Sequence, residues 1–157
     1  MNVELHFKVQ DLNTRYVHAI DEDRLEEWPE FFAENGRYRI TTVENVARGL
    51  PLSLMYATSR AMMRDRVNSL RNANVYESQR YRHAVGTPLI EPDQDGIVRA
   101  VTNFLVARIM HTGETMLFAT GRYEDRIALA GDARPHFVEK TVILDSRQID
   151  TLLAIPL

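Results

Sequence analysis

The chain has 157 residues, enough for one domain whose core needs no metal or crosslink to hold it. It contains no cysteine, which excludes disulfides, thiolate nucleophiles, iron-sulfur ligation and Cys-rich zinc sites within this chain. Its 22 acids and 19 bases give a net charge of −3 and form no basic block, which argues against a dedicated nucleic-acid binder. Of the bases 17 are arginine and only Lys8 and Lys140 are lysine; the planar arginine fork suits partly buried ion pairs and interfaces, so the bias leans toward a chain with partners. A host genome rich in G and C would produce the same bias.

Leu5, Val9, Leu12, Tyr16 and Ala19 recur at helical spacing, so the first twenty residues read as one amphipathic helix. The same segment carries acids throughout and no sustained apolar run, so neither a signal peptide nor a membrane span is expected, and a cytoplasmic protein is. A short helix is expected from Arg24 to Phe32, with Trp28, Phe31 and Phe32 inward and Asp23 as its N-cap. The chain then turns at Asn35-Gly36 and enters a strand through Tyr38, Ile40 and Thr42. A loop at 46–57 leads to a third helix capped by Thr58 or Ser59, with Met63, Val67 and Leu70 as its buried stripe.

From Gln79 onward the pattern is of strands. Four long runs rich in β-branched and aromatic residues are separated by turn signals at Pro92-Asp93, at His111 to Glu114 and at Gly131-Asp132. With no helix between them to make a parallel crossover, they read as an antiparallel meander, and the fold class is α+β with the helices covering one face of the sheet. Between Ile97 and Met110 both faces are apolar: Ile97, Val101, Leu105, Ala107 and Ile109 on one, Val98, Ala100, Phe104, Val106 and Met110 on the other. A sheet with one wetted side does not require that, so a protein partner is the simple cover for the second face.

The candidate sites are sparse. His6, His18, His83, His111 and His136 form none of the local metal-ligand spacings, and the glycines form no phosphate-cradling loop, so nucleotide binding is rejected. His18 and Asp21 lie three apart on a helix, and His83 sits on a strand that can face the same cavity. A histidine-carboxylate pair can move a proton, which makes acid-base chemistry by His18, Asp21 and His83 one reading; the other is a helix-surface ion pair beside a strand histidine that is hydrogen-bonded for structure. In "RYRH", Arg80 and Arg82 share one face of the strand, where they can bind a carboxylate or pair with acids of another subunit. The sequence closes on apolar residues, and Leu152, Leu153, Ile155 and Leu157 are expected to dock against something.

The runs "YVHAIDEDRLEEWPEFF", "GRYRITTVEN", "MMRDRVNSLRNANVYESQRYRHAVG", "NFLVARIMHTGETMLFATGRYEDR" and "TLLAIPL" resemble the small (beta) subunit of aromatic-ring-hydroxylating Rieske non-haem iron oxygenases, above all those acting on aromatic carboxylates such as terephthalate. The resemblance covers essentially residues 1–157, read as a single domain. It is most specific at Trp28, Phe31 and Phe32, at Asp65-Arg66 with Leu70, and at Arg80 to His83. It implies a curved, cone-like antiparallel sheet packed with N-terminal helices, the fold of nuclear transport factor 2, ketosteroid isomerase and scytalone dehydratase. It also implies an α3β3 assembly in which this chain binds no cofactor. The large (alpha) subunit carries a Rieske [2Fe-2S] cluster and a mononuclear Fe(II), and a reductase delivers electrons from NAD(P)H. On this reading the chain is structural, inactive alone, and Arg66, Arg80, Arg82, His83, Leu152 and Leu157 contribute to subunit contacts. The competing readings are an isomerase or dehydratase working through His18, Asp21 and His83, and a stand-alone domain binding a small apolar ligand.

Overall fold

The computed structural model describes residues 1–73, 76–129, 131, 133–148 and 153–157. Helix α1 spans Val3–Asp21, opened by Asn2, whose side chain accepts from the Leu5 N–H, and it buries Val9, Leu12, Tyr16, Val17 and Ile20 along one stripe. The second helical segment, Leu25–Phe31, is 3-10 and contains Pro29, which has no N–H to continue an α-helical ladder. It delivers Trp28 to the core and hands over directly to β1, Phe32–Thr42. The strand therefore starts earlier than the Asn35-Gly36 signal suggests. That dipeptide is a bulge inside β1, between Phe32 and Arg37, where Gly36 passes so close to Ala33 that a Cβ would press on its carbonyl oxygen.

The expected loop contains a short helix α2, Val43–Ala47, and an edge strand β2, Met55–Ala57. Helix α3, Arg60–Asn72, is capped by the Ser59 side chain on the Met62 N–H and buries Met63, Val67 and Leu70 as the spacing predicts. Then come β3 (Gln79–Val85), β4 (Leu89–Pro92), β5 (Ile97–Met110), β6 (Thr115–Ala128) and β7 (His136–Leu144). The first long run is two strands because residues 86–88, with Pro88 among them, interrupt it; both halves pair antiparallel with β5. The sheet runs β2-β1-β7-β6-β5-β3 with β4 also on β5.

All of these pairings are antiparallel except one. β1 lies parallel to β7, with Tyr38 opposite Lys140 and Ile40 opposite Val142. The connection between them is most of the chain, helices α2 and α3 included, which is ample length for a parallel crossover. The inner face of the curved sheet is covered by α1, α3 and the 3-10 segment, and it encloses Tyr16, Trp28, Phe32, Tyr38, Tyr123 and Phe137 without exposed surface. Most of their ring pairs meet edge-on with centroids 5.1–6.3 Å apart, the arrangement that sets positive ring edges on negative faces, while Phe32 and Phe137 are tilted. No helix among the described residues is long and apolar enough to cross a membrane.

Candidate functional site

Two buried polar pairs stand on the inner face. At the end of α1, Asp21 turns inward and takes two hydrogen bonds from β3: the His83 backbone N–H donates to Oδ2 at 2.8 Å, and His83 Nδ1 lies 2.6 Å from Oδ1. Both side chains are fully covered, and His83 Nε2 is buried with no hydrogen-bond partner among the described residues. The pair ties the helix end to the sheet through backbone as well as side chain. His18 does not join it: three residues earlier on α1, it is exposed and lines an outer groove with Arg15, Arg24, Arg134 and His136. The sequence set of His18, Asp21 and His83 is corrected to a two-residue pair, because the stripe that buries Val17 and Ile20 carries Asp21 inward and leaves His18 on the flank.

The second pair was missed in the sequence. Lys140 Nζ sits 3.1 Å from Asp125 Oδ2, both side chains with no exposed surface, and 3.6 Å from the ring centre of Tyr123, 4.2 Å from that of Phe137 and 4.6 Å from that of Tyr16. Burial pushes the Asp125 carboxyl up to about 6 and the Lys140 ammonium down to about 8, each partly offset by the other's charge. Desolvation also raises the Tyr16 and Tyr123 hydroxyls well above their ordinary value. The available signal was alternation: Asp125 falls between inward Tyr123 and Ile127, and Lys140 two before inward Val142.

A polar chain runs from the 3-10 segment to the last residue of the sequence. Trp28 Nε1–H donates to Tyr16 Oη at 3.2 Å, Tyr16 and Tyr38 hydroxyls both donate to the Leu157 carbonyl oxygen at 3.0 Å, and the Leu157 N–H donates to Tyr38 Oη at 2.9 Å. Leu157, expected to meet another subunit, is therefore spent inside its own fold, where it has no exposed surface. Leu152 lies outside the described residues. Arg80 and Arg82, expected to find acids across a contact, both reach Glu22 of their own chain, at 3.1 and 3.2 Å, and each keeps more than half its surface exposed. Arg66 on α3 is half-buried near Tyr38, with its Nε covered and without a hydrogen-bond partner among the described residues.

The outer face is where the structure is unfinished. Leu89, Leu105 and Leu117 are 74%, 46% and 61% exposed. The register places them together: Leu105 stands opposite Ala84, Ala107 opposite Leu117, and Val101 opposite Leu89. Arg82 and Arg80, opposite Ala107 and Ile109, flank this strip. Among the described residues no three His, Cys, Asp or Glu side chains come together as a metal ion could use them. The most exposed apolar surface among these residues is thus on the outer face of the sheet, and the two buried pairs lie on the opposite, inner face.

The family model described as ring hydroxylating beta subunit matches residues 15–151. The chain is 41% identical over 150 residues to the terephthalate 1,2-dioxygenase terminal oxygenase component subunit beta 1 of Comamonas sp., covering 96% of this chain and 97% of that one. It is 38% identical over 151 residues to the anthranilate 1,2-dioxygenase small subunit of Burkholderia cepacia, covering 96% and 93%. Its fold superposes with a TM-score of 0.89, at 35% identity and 98% and 97% coverage, on the crystal structure of the beta subunit of an aromatic-ring-hydroxylating dioxygenase candidate from Novosphingobium aromaticivorans. A match over most of the chain's length, with this agreement in fold, shows that the protein belongs to the ring-hydroxylating beta subunits and is the small subunit of a Rieske-type aromatic-ring-hydroxylating dioxygenase.

Proposed function

We propose that this chain is the non-catalytic scaffold of a terminal oxygenase acting on an aromatic carboxylate of the terephthalate and anthranilate kind. The observation that carries the reading is the apolar strip of Leu89, Leu105 and Leu117 on the outer face of a sheet whose inner face is already packed. A lone domain gains nothing by exposing it, whereas burying such a strip against another chain removes apolar area from water at roughly 25 cal/mol per Å². The partner is a large subunit bearing a Rieske [2Fe-2S] cluster and a mononuclear Fe(II), supplied with NAD(P)H electrons by a reductase, in an α3β3 particle in the cytoplasm. Residues 1–157 act as one domain, and their contribution is to hold the large subunits at a fixed spacing, on which electron and substrate delivery depend.

The curated relatives named for terephthalate and anthranilate support the substrate class, both being dioxygenase subunits for aromatic carboxylates. The inner pair of Asp21 and His83 supports structure rather than turnover, since His83 is fully covered and bonded through its own backbone. Leu105→Asp and Leu117→Asp, each on an exposed strand position, test the reading: both chains should melt as the unsubstituted one does and fail to join the large subunit. A normal complex containing either variant would overturn the assignment of this face.

A further inference from the structure

Arg66 is a cation that the fold prepares and does not use. It lies on α3 between Met63 and Leu70, both buried, at the flank of the helix stripe. Its Nε has no exposed surface and no hydrogen-bond partner, and burial lowers its affinity for its proton, with only the Tyr38 hydroxyl acting electrostatically in the opposite sense. Most other arginines that lean on the protein are answered by it: Arg71 holds Asp23 and Glu26, Arg64 holds Glu30, Arg60 the Phe32 carbonyl, and Arg80 and Arg82 share Glu22. Among the described residues no ion pair, hydrogen bond or ring contact answers Arg66. A guanidinium held partly out of water without a counter-charge destabilises the chain that carries it, and its outward nitrogens still present donors in a fixed fork.

Resting on the function proposed above, we infer that Arg66 is a seat for a carboxylate side chain of the large subunit. The acid comes from a different chain for a reason visible in this one. Among the described residues no carboxylate of this chain pairs with Arg66: Asp23, Glu26 and Glu30, on or just before the segment that α3 packs against, are bound by Arg71 and Arg64, and Asp65, adjacent to Arg66 on the helix, makes no pair with it. A carboxylate arriving with a partner would pair directly with the guanidinium and be desolvated by the same contact, which is where charge pairs between chains discriminate most strongly. The seat lies on α3, on the helical side of the sheet, so it defines a second point of attachment besides the outer strip.

The prediction separates folding from assembly by sign. Arg66→Met keeps the length and apolar stem and removes the charge. In the isolated chain it should leave the melting temperature unchanged or raise it, because an unanswered charge has gone. In the complex co-expressed with the host's own large subunit it should weaken association at least tenfold, read as the concentration at which the particle dissociates on dilution. Arg66→Lys, which keeps a charge without the fork, should fall between the two. A normal complex with Arg66→Met, or a loss of stability in the isolated chain with association unchanged, would overturn the seat while leaving the scaffold reading standing. If the isolated chain instead forms an oligomer of itself that Arg66→Met breaks, the acid belongs to a second copy and the inference is likewise overturned. Failure of the unsubstituted chain to join any large subunit would overturn the scaffold reading and the seat with it.

Discussion

Replacing Lys140 by methionine isolates what the buried pair contributes. The substitution keeps the unbranched stem among Tyr16, Tyr123 and Phe137 and removes the ammonium 3.1 Å from Asp125, leaving a carboxylate with no counter-charge and no exposed surface. Breaking a buried pair from one side costs about 3–5 kcal/mol. A domain of this size loses roughly 2–4 °C of melting temperature per kcal/mol, so a drop of about 10 °C at pH 7 is expected. The loss has a pH signature. The Asp125 carboxyl, already raised to about 6 beside Lys140, rises further without it, so acidifying to pH 5 should protonate it in the folded state and restore much of the stability.

The unsubstituted chain follows from the same linkage. Between the ordinary carboxyl value of 3.8 and about 6 the folded state holds more protons than the unfolded, so the pair's contribution falls as pH rises through that window. Between about 8 and 10.5 the folded state holds fewer, so the contribution rises again as Lys140 loses its proton early. Removing both charges, as Lys140→Met with Asp125→Leu, should return stability to within about 1–2 kcal/mol of the starting chain. Circular-dichroism melts of the unsubstituted chain and the two variants at pH 5 and 7 decide the matter. A fall of less than about 3 °C for Lys140→Met at pH 7, or a double variant as unstable as the single, would refute the account of the pair.

Three further outcomes follow from named contacts. Tyr38→Phe strands the buried Leu157 N–H and removes one of two donors to its carbonyl, so urea titration should show a loss of about 1–3 kcal/mol. Gly121→Ala puts a Cβ onto the Ile143 carbonyl oxygen of the neighbouring strand, where backbone must move, and should cost at least about 2 kcal/mol by the same titration. Arg82→Ala should leave the isolated chain within about 0.5 kcal/mol, since its exposed bond to Glu22 is duplicated by Arg80, while lowering the yield of complex on size-exclusion chromatography.

Much of this was legible in the residues. The stripes of α1 and α3 were readable because a 3.6-residue period leaves its mark on every buried position, and Met63, Val67 and Leu70 are buried as that period requires. The two apolar faces of β5 were equally plain, and the fold covers one of them while leaving Leu105 on the other 46% exposed. The parallel β1–β7 pairing was not, because nothing local fixes the register of strands separated by most of the chain. Lys140 and Asp125 escaped notice for a related reason: a charged residue on an alternating strand reads as solvent-facing until its cross-sheet partner is known. The arginines of "RYRH" were placed on the right face, yet their acid, Glu22, comes from a helix end some sixty residues earlier.

The central claim is that the chain works by holding an iron-bearing partner, and the native mass of the co-expressed particle, with iron counted on the same sample, tests it most directly. A particle of about three large and three small subunits, with iron present and lost when Leu117→Asp prevents assembly, is the predicted result. An iron-free particle built from this chain alone would contradict it, and would turn attention to the covered ring nitrogen of His83 beside Asp21.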